Sequence, residues 1–258
     1  MAPLIAIARV SKTYARRRGP AHPALLDISL DVAAGEFVAI LGPSGSGKST
    51  LLYIVGGFVA PSGGLVAVGG KPVAGPAPDR GPVFQEFALF PWKTVLGNVM
   101  YGLLEQGATK REAELKARAW IGRVKLGGYE HFYPKELSGG MKQRVAIART
   151  LAYDPRILLM DEPFGALDAH TRTGLQRELL EIWERDRKTV LFVTHSVDEA
   201  VFLSDRVVVL TRSPGRIKAV MDIRLPRPRR RVELLLDPGY QALIVAIDGL
   251  METPEVRP

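Results

Sequence analysis

The stretch EFVAILGPSGSGKSTLLYIVGG, Glu36 to Gly57, joins a short run of large apolar residues to a glycine-rich loop and then to a second apolar run. The first run is too short for a core helix and lacks polar alternation, so it reads as a strand buried on both faces and ending at Leu41. The loop GPSGSGKST fits the pattern G-x-x-x-x-G-K-[ST] and runs into the apolar helix LLYIVGG, which is the strand–loop–helix setting that the pattern requires. Gly42, Gly45 and Gly47 let the backbone turn tightly, so that successive N–H groups point at phosphate oxygens, and the helix N-terminus adds positive potential. The whole loop, Gly42, Pro43, Ser44, Gly45, Ser46, Gly47, Lys48, Ser49 and Thr50, is therefore expected to hold a nucleoside triphosphate. Lys48 is expected to reach the β- and γ-phosphates and the Ser49 hydroxyl to ligate Mg²⁺.

Outward from this loop, RILLMDE (Arg156 to Glu162), TVLFVTH (Thr189 to His195) and RVVVLT (Arg206 to Thr211) repeat the signature of a buried strand. Between them GLQRELLEIWERDR (Gly174 to Arg187) carries Leu175, Leu179 and Ile182 at helical spacing. Such alternation predicts an α/β fold around a mainly parallel sheet. GGLVAVGGKPV and its Gly- and Pro-rich surroundings, up to about Val83, predict an antiparallel β portion. From about Phe87 to Ala152 there is no matching buried strand, and KREAELKARAWIGRVKL (Lys110 to Leu126) is amphipathic, which predicts an inserted helical subdomain. RILLMDE ends on two acids: Asp161 is suited to Mg²⁺, and Glu162 to polarising an attacking water.

The 258 residues hold 35 Lys plus Arg against 27 Asp plus Glu, a net charge of +8. Arg16, Arg17 and Arg18, with Arg224, Arg227, Arg229, Arg230 and Arg231, account for the excess; without them 27 basic residues face 27 acidic ones. Both clusters are expected to be solvated, with an anionic membrane surface or acidic partner as the sharper reading. The absence of cysteine excludes a disulfide framework, a Cys-based zinc site and a thiol nucleophile. No apolar run reaches the roughly 18 residues of a membrane helix. The N-terminus lacks the basic start and cleavage site of a signal peptide, so a soluble intracellular chain is expected.

LSGGMKQR, Leu137 to Arg144, stands between the phosphate loop and the acidic strand and resembles the signature of the ATP-binding-cassette (ABC) ATPases. Gln85 in VFQE matches the family's Q-loop, Ala166-Leu167-Asp168 its D-loop, His195 its switch histidine, and Tyr14 in VSKTY the aromatic that stacks on adenine. The resemblance covers roughly Leu4 to Leu225; Met141 departs from the glutamine of many members, while Ser138, Gly139 and Gly140 are intact. It implies a P-loop NTPase of ABC ATPase type, with a RecA-like α/β core at 1–86 and 153–225, a helical signature subdomain at 87–152 and a Pro/Arg-rich tail at 226–258. It also implies ATP and Mg²⁺ as ligands. Glu162, His195, Lys48 and Gln85 are the implied catalytic residues, and Ser49, Gln85 and Asp161 the implied metal ligands. Tyr14, the phosphate loop and Asp168 are the implied nucleotide contacts, with Ser138, Gly139 and Gly140 capping the ATP of an opposing copy.

Only 113 positions separate Lys48 from Asp161, which leaves no room for the long coiled coil of chromosome-maintenance ATPases. One cassette and no membrane helices point instead to the detached ATPase subunit of a bacterial importer. QEFALFPWKTVLGNVMYGL (Gln85 to Leu103), SPGRI (Ser213 to Ile217) and the LPRPR stretch from Leu225 are similar to the nitrate/sulfonate/taurine importer ATPases. The implied partners are a second copy arranged head to tail, two transmembrane permease subunits and, indirectly, an extracytoplasmic solute-binding protein, with no nucleic acid. The implied location is the cytoplasmic face of the inner membrane, peripherally attached. The alternative is a soluble ABC ATPase that remodels nucleic acid or ribosomes. Phe87 to Val99, rich in large apolar residues and poor in charge, is expected to form the permease-docking surface.

Overall fold

A computed structural model describes residues 2–15 and 19–252. In chain order the strands are β1 (Ile5–Tyr14), β2 (His22–Val32), β3 (Phe37–Leu41), β4 (Gly63–Val68), β5 (Lys71–Pro72), β6 (Arg80–Val83), β7 (Ile157–Asp161), β8 (Thr189–Thr194), β9 (Arg206–Leu210) and β10 (Ile217–Asp222). The helices are α1 (Lys48–Gly56), α2 (Val95–Glu105), α3 (Lys110–Arg123), α4 (Gly139–Ala152), α5 (Ala169–Asp186), α6 (Val197–Leu203), α7 (Arg231–Leu234) and α8 (Pro238–Glu252). They fall into two compact units, one running to Ala77 and resuming at Arg187, the other spanning Pro78–Asp186.

In the first unit β2, β1, β4 and β5 form an antiparallel sheet in that order, as the alternating residues of GGLVAVGGKPV predict. β3 is flanked by β8 and β9, both parallel to it. Every residue of β3 and of β8 is buried, which accounts for the unbroken apolar runs in their sequences. Burying the four large side chains of β3 contributes about 6–12 kcal/mol before conformational entropy is counted. The register from Phe37↔Val190 to Leu41↔Thr194 carries both strands to the same end of the sheet. The loop that starts at Gly42 and the residue that follows Thr194, His195, therefore leave neighbouring strands side by side. β10 closes the edge by pairing antiparallel with β9, which no sequence signal announced.

In the second unit β6 runs parallel to β7, with Arg80↔Ile157 to Val83↔Met160 in register. This corrects the expectation that the segment up to Val83 is antiparallel throughout. RGPV is too short, and too poor in large apolar residues, to announce a parallel strand. The helices of the inserted segment are present as expected. Thr94 caps α2, and α3 opens with a capping box in which Thr109 and Glu112 satisfy each other's backbone N–H groups. Val99, Leu103, Ala117, Ile121, Val145 and Ala148 bring α2, α3 and α4 into one apolar core.

The arginine-rich tail departs most from expectation. Arg224 and Arg230 are exposed, but Arg229 is only 5% exposed, and Arg227 and Arg231 are partly buried in ion pairs with Asp205 and Asp198. The solvated reading of this cluster is thus corrected: three of its five charges are engaged within the fold. Arg16, Arg17 and Arg18 lie outside the described residues.

The loop before α2 is fastened by one fully buried side chain. Asn98 Nδ2 donates to the carbonyls of Phe90, Lys93 and Thr94, and its Oδ1 accepts the Phe90 N–H at 2.8 Å. Asn98→Ala strands these groups and is expected to cost about 3 kcal/mol. A thermal melt should read this as a fall of about 6 °C or more in Tm, whereas an unchanged Tm would show that the loop is held in another way.

Candidate functional site

The phosphate loop owes its shape to steric necessity. Gly45 and Gly47 lie at φ 80° and 89°, in the left-handed region. At Gly47 a Cβ would also come within 2.6 Å of Leu25 Cδ2 and 2.8 Å of the Ala24 carbonyl. Gly47 is the N-cap of α1 and supplies no side chain to the helix, so the first N–H groups of α1 stay available to an anion. Within the loop the Ser46 hydroxyl is fully buried without a hydrogen-bond partner, and a Cβ on Gly42 would lie 2.7 Å from it. Lys48 is buried, its Nζ donating to Gly42 O at 2.8 Å and Pro43 O at 3.2 Å, which holds the ammonium across the mouth of the loop. This donor set, backbone N–H groups with one fixed cation, fits a polyphosphate. Tyr14 approaches the same helix, 3.5 Å from Thr50 Oγ1, with the Lys12 ammonium 5.0 Å above its ring.

One supporting residue was missed in the sequence. Gly215 donates to Ala24 O and accepts from Leu26 N, both at 2.9 Å, and a Cβ there would overlap the Ser46 carbonyl oxygen. The SPGRI segment thus abuts the phosphate loop, whereas in the sequence it served only as a mark of resemblance. The glycine after Pro214 was the available signal, since a turn of that kind often serves a close backbone approach.

At the end of β8 His195 is exposed, between two residues bound to one another. The Thr194 hydroxyl donates to the buried Glu199 carboxylate at 2.6 Å and accepts the Ser196 N–H at 3.0 Å, while Ser196 caps α6 through the Glu199 N–H.

In the second unit Asp161 is buried at the end of β7 and Glu162 follows it at φ 41°. A non-glycine residue in that region stores about 1–3 kcal/mol of strain, which collects at sites where a side chain must be aimed. Gln85, exposed, leaves β6 at the same end of the pair, because Val83 is in register with Met160. Asp168 accepts the Thr171 N–H at 3.0 Å at the start of α5, and that hydrogen bond holds its carboxyl below the usual range. Ser138 caps α4, its Oγ accepting the Met141 N–H at 3.3 Å. Gly140 is required by packing, since a Cβ would overlap Thr171 Cγ2. Gly139 is not so constrained: it is exposed, and a Cβ would meet only ordinary contacts at 3.6 and 3.8 Å. A bare backbone at this helix start lets a ligand approach closely.

Among the described residues no three His, Cys, Asp or Glu side chains are grouped as metal ligands. Mg²⁺ bound with a nucleotide keeps several waters and relies on phosphate oxygens rather than on a dedicated protein cage, so it does not call for such a group.

The second unit also carries an apolar groove of about 430 Å³, lined by Phe84, Phe90, Tyr101, Tyr153, Arg149 and Glu105. Arg149 donates to the carbonyls of Ala88 and Phe87 and lies 5.7 Å from the Phe90 ring centroid; burial lowers its pKa. Burial pushes the Tyr153 hydroxyl up to about 12. Phe90 packs against Tyr101 and Trp92, and Trp92 is 71% exposed.

A phosphate loop, a signature helix and an acidic strand end in this order define an ABC ATPase, and residues 25–165 match the ABC transporter family. The chain belongs to that family and is an ATPase. It is 58% identical over 211 residues to an uncharacterised ABC transporter ATP-binding protein of Methanocaldococcus jannaschii, covering 82% of this chain and 79% of that one. It is 50% identical to a taurine import ATP-binding protein of Pseudomonas putida, over 83% and 80% of the two chains. A dimeric bacterial ABC transporter cassette superposes with TM-score 0.77 at 35% identity, covering 86% of this chain and all of that one. Among the described residues no helix is long and apolar enough to cross a membrane.

Gly215→Ala tests the buttress on the phosphate loop. The added methyl must displace the Ser46 peptide, so KM for ATP should rise roughly tenfold or more, as read by steady-state ATPase assay. An unaltered KM would show that the loop does not depend on Gly215.

Proposed function

We propose that this chain is the ATP-hydrolysing subunit of a bacterial importer of nitrate, sulfonates, taurine or a similar small anion. The single observation that carries the reading is the pairing of a complete phosphate loop with an unoccluded Ser138-Gly139 helix start on one chain. One chain with two phosphate-seeking helix ends calls for a second copy, and the dimeric cassette named above supports that arrangement. The taurine import relative supports the solute class, and importer relatives favour transport over the remodelling of nucleic acid or ribosomes.

In this reading two copies face head to tail around two ATP. Lys48 and the loop N–H groups bind the phosphates, Tyr14 stacks on adenine, and Ser138, Gly139, Gly140 and Asp168 meet the nucleotide of the opposite copy. Asp161 holds Mg²⁺ with Ser49 and Gln85; when bound, the ion neutralises charge on the β- and γ-phosphate oxygens. Glu162 takes the proton of the attacking water, and His195 and Lys48 stabilise charge developing on the γ-phosphate. The core at 1–86 and 153–225 carries these groups, and the helical subdomain at 87–152 transmits closure to two permease subunits fed by an extracytoplasmic binding protein. The ATPase then works peripherally on the cytoplasmic face of the inner membrane. The groove beside Phe90 supports permease docking: it is apolar, aromatic-walled and bordered by the exposed Trp92.

Glu162→Gln keeps the shape and removes the base. It should bind ATP with near-normal affinity while turnover falls at least 100-fold and a closed dimer accumulates in size-exclusion chromatography; hydrolysis at the wild-type rate would exclude Glu162 as the base. Phe90→Asp should leave the isolated subunit folded and able to bind ATP but abolish co-purification with its permease and solute uptake. Wild-type uptake by that variant would move the docking surface elsewhere.

A further inference from the structure

The tail grips both ends of the short helix that follows His195. At its first turn, both oxygens of Asp198 are taken: Arg231 donates to Oδ2, with Nη1 at 2.7 Å, and the Tyr240 hydroxyl donates to Oδ1 at 2.6 Å. At its C-terminal end the buried Arg229 donates Nη1 to the carbonyls of Val201, Phe202 and Ser204, at 3.0, 3.0 and 2.7 Å. Arg229 Nη2 reaches Ile223 O at 3.3 Å. Arg227 adds an ion pair with Asp205 at 2.8 Å and a hydrogen bond to Leu203 O at 2.9 Å. The Arg231 guanidinium also lies over the Phe202 ring at 4.8 Å. A helix of seven residues has little stability of its own. Cations at its C-terminal carbonyls and a fastened first turn hold it in one place.

What this helix holds in turn is the peptide on which His195 sits. Glu199, one residue beyond Asp198, is buried and accepts the Thr194 hydroxyl, and Ser196 both caps the helix and donates its N–H to Thr194. A continuous chain of contacts thus runs from Arg231 and Tyr240, through Asp198 and Glu199, to the two residues that bracket His195. We propose that residues 227–240 are an intramolecular strap, with Arg229, Arg231 and Tyr240 as positioning residues that set the orientation of His195 and so the rate of turnover. ATP affinity is set by the phosphate loop, whereas the contacts given above for Arg229, Arg231 and Tyr240 are made with the helix and its flanks. The proposal rests on the role given above to His195, and it gives the arginine-rich tail a task inside the catalytic unit.

The chain has only four histidines, His22, His131, His170 and His195, so its imidazole NMR spectrum is simple and His195→Ala assigns the signal of interest. Tyr240→Phe deletes one hydroxyl and keeps the ring, and Arg231→Gln removes the charge from Asp198. Both are expected to move the His195 resonance and leave the other three in place. Both should lower kcat roughly tenfold with KM for ATP within about twofold, and Arg231→Lys should recover part of the loss. An unmoved His195 resonance in Tyr240→Phe and Arg231→Gln overturns the strap, as does a rise in KM that matches the fall in kcat. Should His195→Ala itself turn over at the wild-type rate, the catalytic role of His195 fails, while the resonance still decides whether the tail positions it.

Discussion

Parallel pairing of β3 with β8 is the constraint on which the catalytic end of the first unit depends. Because Leu41 is matched to Thr194, the phosphate loop and His195 emerge from the same end of one sheet. The register is held by two strands with no exposed residue. A slip by one position would turn every side chain to the opposite face and set the loop and the histidine out of step. The β6–β7 pair repeats the device in the second unit, where Gln85 and Asp161 leave the same end. Rigid strands thus aim loops whose own residues are chosen for chemistry.

Close approach of backbone to backbone is the second theme. Gly47, within the phosphate loop, lies against the Ala24 carbonyl and Gly215 against the Ser46 carbonyl, each at a distance that a methyl group would abolish. Gly140 instead makes room for the Thr171 side chain of α5 against α4, while Gly139 beside it is free of such demands and remains open at the helix start. Glu162 shows the opposite choice: a carboxylate stands where glycine would be easier, at φ 41°, and the surrounding fold sustains the strain. Steric economy governs where side chains are absent, and chemistry governs where one is kept despite its cost.

Charge is distributed by the same logic. Composition counts five arginines in the tail as excess positive charge, yet Arg227, Arg229 and Arg231 are directed at Asp205, at helix carbonyls and at Asp198. A guanidinium suits this work, since its planar fork can serve several carbonyls at once. Net charge alone therefore says little about the partners of this surface.

The sequence by itself determined the buried strands, the helical insertion, the phosphate loop and the order of the ABC motifs, because each rests on local pattern: apolar runs, helical spacing and glycines at fixed intervals. Candidate residues such as Lys48, Asp161, Glu162 and His195 were legible for the same reason, since each directly adjoins a strand end or a loop with a recognisable signature. Tertiary structure alone decided what depends on contacts distant in the chain. It paired β6 parallel to β7 across 73 intervening residues, laid Gly215 against Ser46, and carried Arg231 back to Asp198. An arginine reads the same in sequence whether it faces water or caps a buried helix, because burial and partners are properties of the assembled fold.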